Sequence, residues 1–138
     1  MHSWPRRILP IGAALMLASA ASVAVSVIPA VRADTFPHAT PERAVPAFWV
    51  AVALDVLVAG TALASGRFGY RVLAGVMGIV ALLLGLALAD AATAYPAHGP
   101  GMHAVVVVLW LCVGFDLVGG LSMIASAVMP RRYWGDRA

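Results

Sequence analysis

Two apolar segments carry one pattern and decide the fold: FWVAVALDVLVAGTALAS at residues 48–65 and LWLCVGFDLVGGLSMIAS at residues 109–126. Each segment has a Trp six residues before an Asp and a Ser ten residues after it. A single offset of 61 residues therefore superimposes all three positions. Each segment approaches the roughly 20 apolar residues that a helix needs to cross the hydrocarbon core of a bilayer. We interpret them as equivalent transmembrane helices of an internal repeat.

Two further apolar stretches, both free of charged residues, complete the set of membrane spans. The four spans are predicted at residues 8–31, 45–65, 72–89 and 104–129. The connections between them contain the Pro and Gly residues that are typical of turns. None of these connections is long enough for a soluble domain. We therefore predict a single domain over residues 1–138, an all-α, integral membrane four-helix bundle.

The composition excludes several classes of protein. Of the 138 residues, 62% are hydrophobic and 11% are charged, whereas a soluble domain is about half apolar and about a quarter charged. All nine basic residues are Arg, and the absence of Lys excludes Schiff-base chemistry on a lysine. The single cysteine, Cys112, excludes an internal disulfide or a CxxC motif. Motifs for nucleophilic catalysis and phosphate binding are absent, so we predict no enzymatic activity.

The arginines predict the orientation of the spans. With four spans, both termini and the second connection lie on one side of the membrane. That side carries seven of the nine arginines, namely Arg6, Arg7, Arg67, Arg71, Arg131, Arg132 and Arg137. The other side carries only Arg32 and Arg43. The positive-inside rule therefore predicts that both termini are cytoplasmic. Abundant Ala, Val and Arg without Lys suggests a GC-rich genome, and we expect the plasma (cytoplasmic) membrane of a bacterium.

The first span also resembles a secretory signal sequence. Arg6 and Arg7 precede its apolar run, and small residues follow near Arg32. However, residues 8–31 number 24, whereas the apolar region of a signal sequence has about 7–15 residues. We therefore expect the helix to be retained, with cleavage in the native protein as the alternative.

The repeat extends more loosely to the first and third spans. RILPIGAAL begins at Arg7 and RVLAGVMGI begins at Arg71. The chain is thus predicted to consist of two parallel helix–loop–helix hairpins, related by a twofold axis along the membrane normal. Small residues in these two spans lie at helical spacing and predict close helix packing within the bundle. They are Ala14, Ala18 and Ala21 in the first span, and Gly78, Ala81, Gly85 and Ala89 in the third.

Asp55 and Asp116 are the main candidate site residues. Both lie near the middle of a span, where an acidic side chain costs about 2.5–3.5 kcal/mol on an insertion scale and usually faces the bundle interior. By the repeat, we expect the two side chains to face each other. No Arg within a span can neutralise them, so at least one should be protonated unless water reaches them. Two roles stay open, a proton or cation site and a structural hydrogen-bonding pair.

Trp49 and Trp110 complete the predicted intramembrane site. They lie about 9 Å from the acids along their helices. An interfacial aromatic belt accounts for both indoles, and the alternative is an aromatic wall for a lipid ring or for a cofactor whose identity the sequence does not predict. Residues 131–134, Arg-Arg-Tyr-Trp, are predicted to anchor the chain at the membrane surface.

Three histidines in the connections are weak candidates for a metal site. His38, His98 and His103 lie on the side opposite the termini, and imidazole binds copper or zinc. Their spacing matches no metal-binding motif, so we predict no metal. A haem held by two histidines is also disfavoured, because it needs imidazoles within the spans.

Three functions are compatible with the sequence. The first is a non-catalytic accessory or scaffold subunit of a larger membrane complex, in contact with other subunits or with a second copy. The second is a small-ion or proton-coupled transporter or channel that uses the two acids. The third and weakest is an extracytoplasmic metal- or cofactor-binding membrane protein. The lipid bilayer is the expected surrounding in each case. Nucleic acid is not an expected partner, since membrane topology explains the basic residues.

Overall fold

The chain forms a bundle of long helices, with no strand among the described residues. The computed structural model describes residues 4–33, 41–94, 100–130 and 134. Its elements are α1 (Trp4–Ser22), a π-helical turn (Val23–Val27), α2 (Ile28–Ala33), α3 (Pro41–Phe68), α4 (Arg71–Ala94) and α5 (Pro100–Val128). The first three follow one another without a break and make up the first span. The prediction of an all-α, four-span membrane protein is confirmed, because four helices are long and apolar enough to cross a membrane.

Two helices begin earlier in the chain than predicted. α3 starts at Pro41 and α5 at Pro100, both inside the predicted connections. Proline is well tolerated at the first position of a helix, where its missing N–H has no intrahelical partner to lose and its φ already fits. Pro41 and Pro100 are therefore the first residues of helices, although both lie in connections that the sequence predicted.

The turn between α3 and α4 is only two residues long. Gly69 adopts a φ of 77°, a left-handed conformation that glycine enters without steric cost. The N–H groups of Gly69 and Tyr70 both donate to the carbonyl oxygen of Ser65, at 2.8 and 3.0 Å, and so satisfy the end of α3. α3 and α4 are therefore antiparallel neighbours. We call this end of the molecule the turn end.

The four spans form a square. α1 packs against α3 and α5, and α4 packs against the same two helices. Consequently α3 and α5 lie on one diagonal, and α1 and α4 lie on the other.

Glycines set how closely α5 approaches its neighbours. A Cβ atom added to Gly120 would lie 2.8 Å from the carbonyl oxygen of Gly78 in α4, and one added to Gly78 would lie 2.8 Å from that of Gly120. On the other side of α5, a Cβ atom on Gly119 would lie 3.2 Å from the carbonyl oxygen of Gly12 in α1. Close backbone approach of this kind is how membrane helices associate when lipid removes the hydrophobic driving force.

Candidate functional site

The interior of the bundle consists of two apolar halves with a polar layer between them. The half at the turn end includes Leu9, Met16, Val58 and Met123. The half at the opposite end contains Val23, Phe48, Leu88 and Leu109, among others. In three of the spans, a buried polar residue lies between the segments that enter the two halves: Ser19, Asp55 and Asp116. We call these three residues the polar layer.

The polar layer lies at the middle of the spans. Ser19 is twelve residues from Arg7 and thirteen from Arg32, the ends of the first span. Asp116 is twelve residues from each end of the span Ala104–Val128. At 1.5 Å per residue, this places both residues about 18 Å along the helix from the span ends. The layer is therefore as far from water as the bundle allows.

The structure brings the two predicted acids together. Asp55 and Asp116 extend from the diagonal pair α3 and α5, and their carboxyl groups lie close enough to interact directly and to interact with the side chain of Ser19. All three side chains are 0% exposed. No hydrogen-bond partner is placed for any of the four carboxyl oxygens or for the Ser19 hydroxyl among the described residues. Five buried oxygens thus lie close together, and of these only the Ser19 hydroxyl is a hydrogen-bond donor while both acids are ionised.

The third span, α4, contributes space rather than a polar group. Gly85 of α4 lies beside Asp116, and a Cβ atom at Gly85 would lie 3.4 Å from the Cβ atom of Asp116. It would also lie 3.0 Å from the Leu117 side chain. Each of the four spans therefore has a residue in the polar layer or directly beside it.

Cys112 and Ser19 are site residues that sequence reasoning missed. Cys112 is buried one turn before Asp116, and its Sγ atom donates to the carbonyl oxygen of Ser19 at 3.7 Å. This weak bond connects α5 to α1. Ser19 was visible as one of several serines in the first span, but nothing in the sequence distinguishes it from Ser22. The structure does distinguish them, because the Ser22 hydroxyl donates to the carbonyl oxygen of Ala18 at 2.8 Å.

The first span changes its helical geometry directly after the polar layer. A π-helical turn covers Val23–Val27, and the N–H of Ile28 donates to the carbonyl oxygen of Val23. Single π-helical turns inside α-helices are rare and are frequently found at functional sites. This one begins one helical turn beyond Ser19.

Trp49 and Trp110 are not brought to the acids. Their side chains lie on the outside of the bundle, 45% and 47% exposed. Both indoles are therefore on the outer surface of the bundle, away from the buried acids. The interfacial belt and the aromatic wall for a lipid ring both place the indoles on such a surface.

The candidate metal residues are described only in part. His38 and His98 lie outside the described residues, and His103 lies in the first turn of α5. Within the described ranges, no group of three or more His, Cys, Asp or Glu side chains is placed to hold a metal ion.

α3 and α5 have matching contacts at the offset of 61 residues. The Thr61 and Ser65 hydroxyls donate to the carbonyl oxygens four residues earlier, at 2.7 Å each. Ser122 and Ser126 make the equivalent bonds at 2.7 and 2.8 Å. Six buried positions correspond as well: 48, 55, 58, 59, 62 and 65 in α3, and 109, 116, 119, 120, 123 and 126 in α5, although positions 66, 112 and 113 are buried without a buried counterpart.

The small-residue stripes have different surroundings in the two helices. Gly78, Ala81 and Gly85 of α4 are buried, as predicted for packing within the bundle. Ala14, Ala18 and Ala21 of α1 are exposed, so the prediction that they pack inside the bundle is wrong. In a membrane protein both faces of a helix are apolar, so small size alone does not tell the inner face from the outer one.

Trp134 is a second correction. The sequence predicted that it anchors the chain at the membrane surface, but its side chain is 0% exposed and belongs to the apolar half at the turn end. Its indole Nε1 donates to the carbonyl oxygen of Ser126 at 2.9 Å. That carbonyl lies in the last turn of α5, where it also accepts the backbone N–H of Met129 at 3.3 Å and has room for a second donor. The indole therefore closes the end of the bundle.

The polar layer contains oxygen atoms that can act as ligands, and no basic side chain of the described spans lies at its depth. The basic residues of the described spans lie at their ends, as Arg7, Arg32, Arg67 and Arg71. Two carboxyl groups and a hydroxyl can bind a proton or a small cation, or can stabilise the bundle once protonated and hydrogen-bonded to each other. Comparisons of the chain with protein families, curated proteins and solved structures find no match.

Proposed function

We propose that this chain is a non-catalytic accessory or scaffold subunit of a larger membrane complex. The outer face of α1 would contact a helix of another subunit or of a second copy. The proposed location is the plasma membrane of a bacterium with both termini cytoplasmic, supported by the distribution of the arginines.

The observation that carries this proposal is the contrast between the outer faces of α1 and α4. On α1, the exposed positions Ala14, Ala18 and Ala21 are small and share one side of the helix, with the larger exposed side chains of Ile11 and Leu17 beside them. On α4, the exposed side is bulky, and its members are Val72, Val76, Ile79, Leu83 and Leu86. Small residues are enriched where membrane helices pack against each other. The α4 face fits lipid, whereas the α1 face fits a helix that is not part of this chain.

The closed polar layer also supports a subunit role. Asp55 and Asp116 are fully buried, so the conformation described offers water no access to them. A channel needs a continuous path, and a transporter needs an opening motion before the acids can exchange an ion. A subunit needs neither.

The test is the mass of the native assembly in a mild detergent, with a matched pair of variants. We expect the wild-type chain to elute in a complex larger than one copy. Ala18→Leu adds bulk to the outer face of α1 and should release the single chain. Ala87→Leu makes the same change at an exposed position of α4 and should leave the complex intact. A wild-type protein that runs as one copy in every mild detergent would refute the proposal.

A second function, proton- or cation-coupled transport, is favoured by one specific observation. The five oxygens of the polar layer have no hydrogen-bond partner among the described residues, and two carboxyl groups in contact can share a proton or bind a small cation. Membrane-embedded acids typically mark ion pathways. Two parallel hairpins would place the acids on equivalent helices, and this repeat is supported by the matching contacts of α3 and α5 and by their diagonal placement.

The transport function is tested by ion flux into vesicles that contain the purified protein. Asp116→Asn should abolish proton- or cation-dependent flux while the protein remains folded. Asp90→Asn makes the same change at an exposed residue of α4 and should leave the flux unchanged. Flux that is absent in the wild type, or equal in both variants, would exclude the two acids as a transport site.

A further inference from the structure

An open groove runs down the outer surface between α4 and α5, starting at the turn end. It has a volume of about 1100 Å³. Its upper part, at the turn end, is lined by Tyr70 and Arg71, where α4 begins. Its lower part, further from the turn end, is apolar, and the lining side chains there include Val76, Ile79 and Ile124. One end is thus polar and basic, and the remainder is hydrocarbon.

Arg71 is held in place with donor capacity to spare. Its Nη2 atom donates to the carbonyl oxygen of Ala127, in the last turn of α5, at 3.2 Å. Its Nε atom is buried and has no hydrogen-bond partner among the described residues. A guanidinium has five N–H donors and cannot lose its charge in a protein. The bond to α5 therefore fixes a permanent cation at the top of the groove.

The position of Arg71 selects the class of ligand. Arg71 is the first residue of the third candidate span, which predicts that it lies at the depth of lipid headgroups. Below it, Val72, Val76 and Ile79 follow at helical spacing along the hydrocarbon part of the span. A ligand that fills the whole groove must carry an anion at one end and apolar chains at the other. A free phosphate ion would meet only the upper part.

We propose that this groove binds an anionic phospholipid from the leaflet at the turn end, with the phosphate on Arg71 and an acyl chain between α4 and α5. The first turn of α4 adds to the attraction, because its N–H groups carry the positive end of the helix dipole. Basic pockets between transmembrane helices are known to bind anionic headgroups. This site is independent of the polar layer and of the proposed subunit role.

The experiment measures lipid occupancy by native mass spectrometry of the purified protein, titrated with phosphatidylglycerol or with phosphatidylcholine of the same chain length. We expect the wild type to bind one phosphatidylglycerol molecule more tightly than phosphatidylcholine. Arg71→Gln should lower the affinity for phosphatidylglycerol about fivefold or more, the effect of roughly one basic residue near an anionic surface. Arg67→Gln is the matched control, because Arg67 lies at the same end, against the Phe68 ring at 5.7 Å, and does not line the groove.

A second pair of variants keeps the charge and changes only the groove. Val76→Trp should fill the apolar part and displace the acyl chain, whereas Leu83→Trp lies about two turns further along the same face of α4, outside the lining. This pair decides the question if Arg71→Gln fails to fold. Equal binding of the two lipids, equal loss in Arg71→Gln and Arg67→Gln, or equal loss in the two Trp variants would overturn the proposal. A further control adds inorganic phosphate alone to delipidated protein. If phosphate stabilises the protein as much as phosphatidylglycerol does, the groove is a simple anion site and the lipid proposal is overturned.

Discussion

Asp55 and Asp116 meet across the diagonal of the bundle, and none of their four carboxyl oxygens has a hydrogen-bond partner among the described residues. The two acids belong to α3 and α5, which approach each other less closely than either approaches α1 or α4. Their interaction therefore spans the centre of the molecule, between two apolar halves. Because the two carboxyl groups interact, a change in the protonation of one affects the other.

The first prediction concerns the coupling of the two acids. Asp55→Asn and Asp116→Asn should each change the free energy of unfolding, and their effects should not add, because groups in contact typically show interaction energies of about 0.5–3 kcal/mol. Thermal unfolding in detergent of the wild type, the single variants and the double variant measures this energy. Asp90, which is exposed at the far end of α4, provides the control pair with Asp55, and there the effects should add. Additive effects at 55 and 116 would show that the acids do not interact.

The second prediction concerns the size of the side chain at position 116. Asp116→Asn keeps the volume and a hydrogen-bonding group and should be tolerated. Asp116→Leu adds bulk beside Gly85 and should lower stability by about 1–3 kcal/mol through overpacking. The same unfolding assay distinguishes them. If Asn were as harmful as Leu, the carboxyl group itself would be needed for folding.

The third prediction uses two glycines of α5 that should respond with opposite signs. Gly120→Ala places a Cβ atom 2.8 Å from the carbonyl oxygen of Gly78, so α4 and α5 must separate, at a cost of about 1–3 kcal/mol. Gly114→Ala meets nothing within 4 Å and should stabilise the helix by about 0.5–1 kcal/mol. Melting temperatures of the two variants are the measurement. A stabilising Gly120→Ala would contradict the close contact of the two backbones.

The fourth prediction concerns the indole that closes the turn end. Trp134→Ala should cost about 3–5 kcal/mol, the usual loss for a fully buried Trp. Trp134→Phe keeps an aromatic side chain but loses the indole N–H that donates to the Ser126 carbonyl oxygen, and the lost hydrogen bond should cost about 1 kcal/mol. Trp110→Ala, at a half-exposed site, is the control and should have little effect. Equal effects of Trp134→Ala and Trp110→Ala would place Trp134 at the surface instead.

The fifth prediction tests the orientation of the spans. In a Cys112→Ser background, single cysteines at Ser3 and Arg137 should react only with a reagent supplied from the cytoplasm. A cysteine at His98 should react only from the opposite side, because the arginine distribution places that connection outside. Labelling of position 98 from the cytoplasmic side would reverse the proposed topology.

Hydropathy predicted the four spans because a helix that crosses a bilayer must be long and apolar along its whole length. The depth of Asp55 and Asp116 followed from simple counting along each span. Their contact with Ser19 did not, because it depends on how α1 is rotated about its own axis. Rotation is hard to read when lipid-facing and core-facing sides are both apolar, which is also why Ala18 was assigned to the wrong side.

The burial of Trp134 could not be predicted for a related reason. An Arg-Arg-Tyr-Trp sequence after a span has the composition of a membrane-surface anchor, and composition does not show whether the Trp side chain is buried. The signal that could have revealed it is local: a helix ending at Val128 leaves carbonyl oxygens unpaired, and a nearby indole N–H can satisfy one of them.

The buried position of Trp134 also sets the order of events during biosynthesis. A ribosome delivers Leu9 early and Trp134 only after all four spans have been made, yet both belong to the same apolar half. That half cannot be completed until Trp134 has left the ribosome, however early the first two spans enter the bilayer. Its closure therefore follows the synthesis of all four spans, and a nascent chain stalled directly after α5 would remain open at the end where this indole docks.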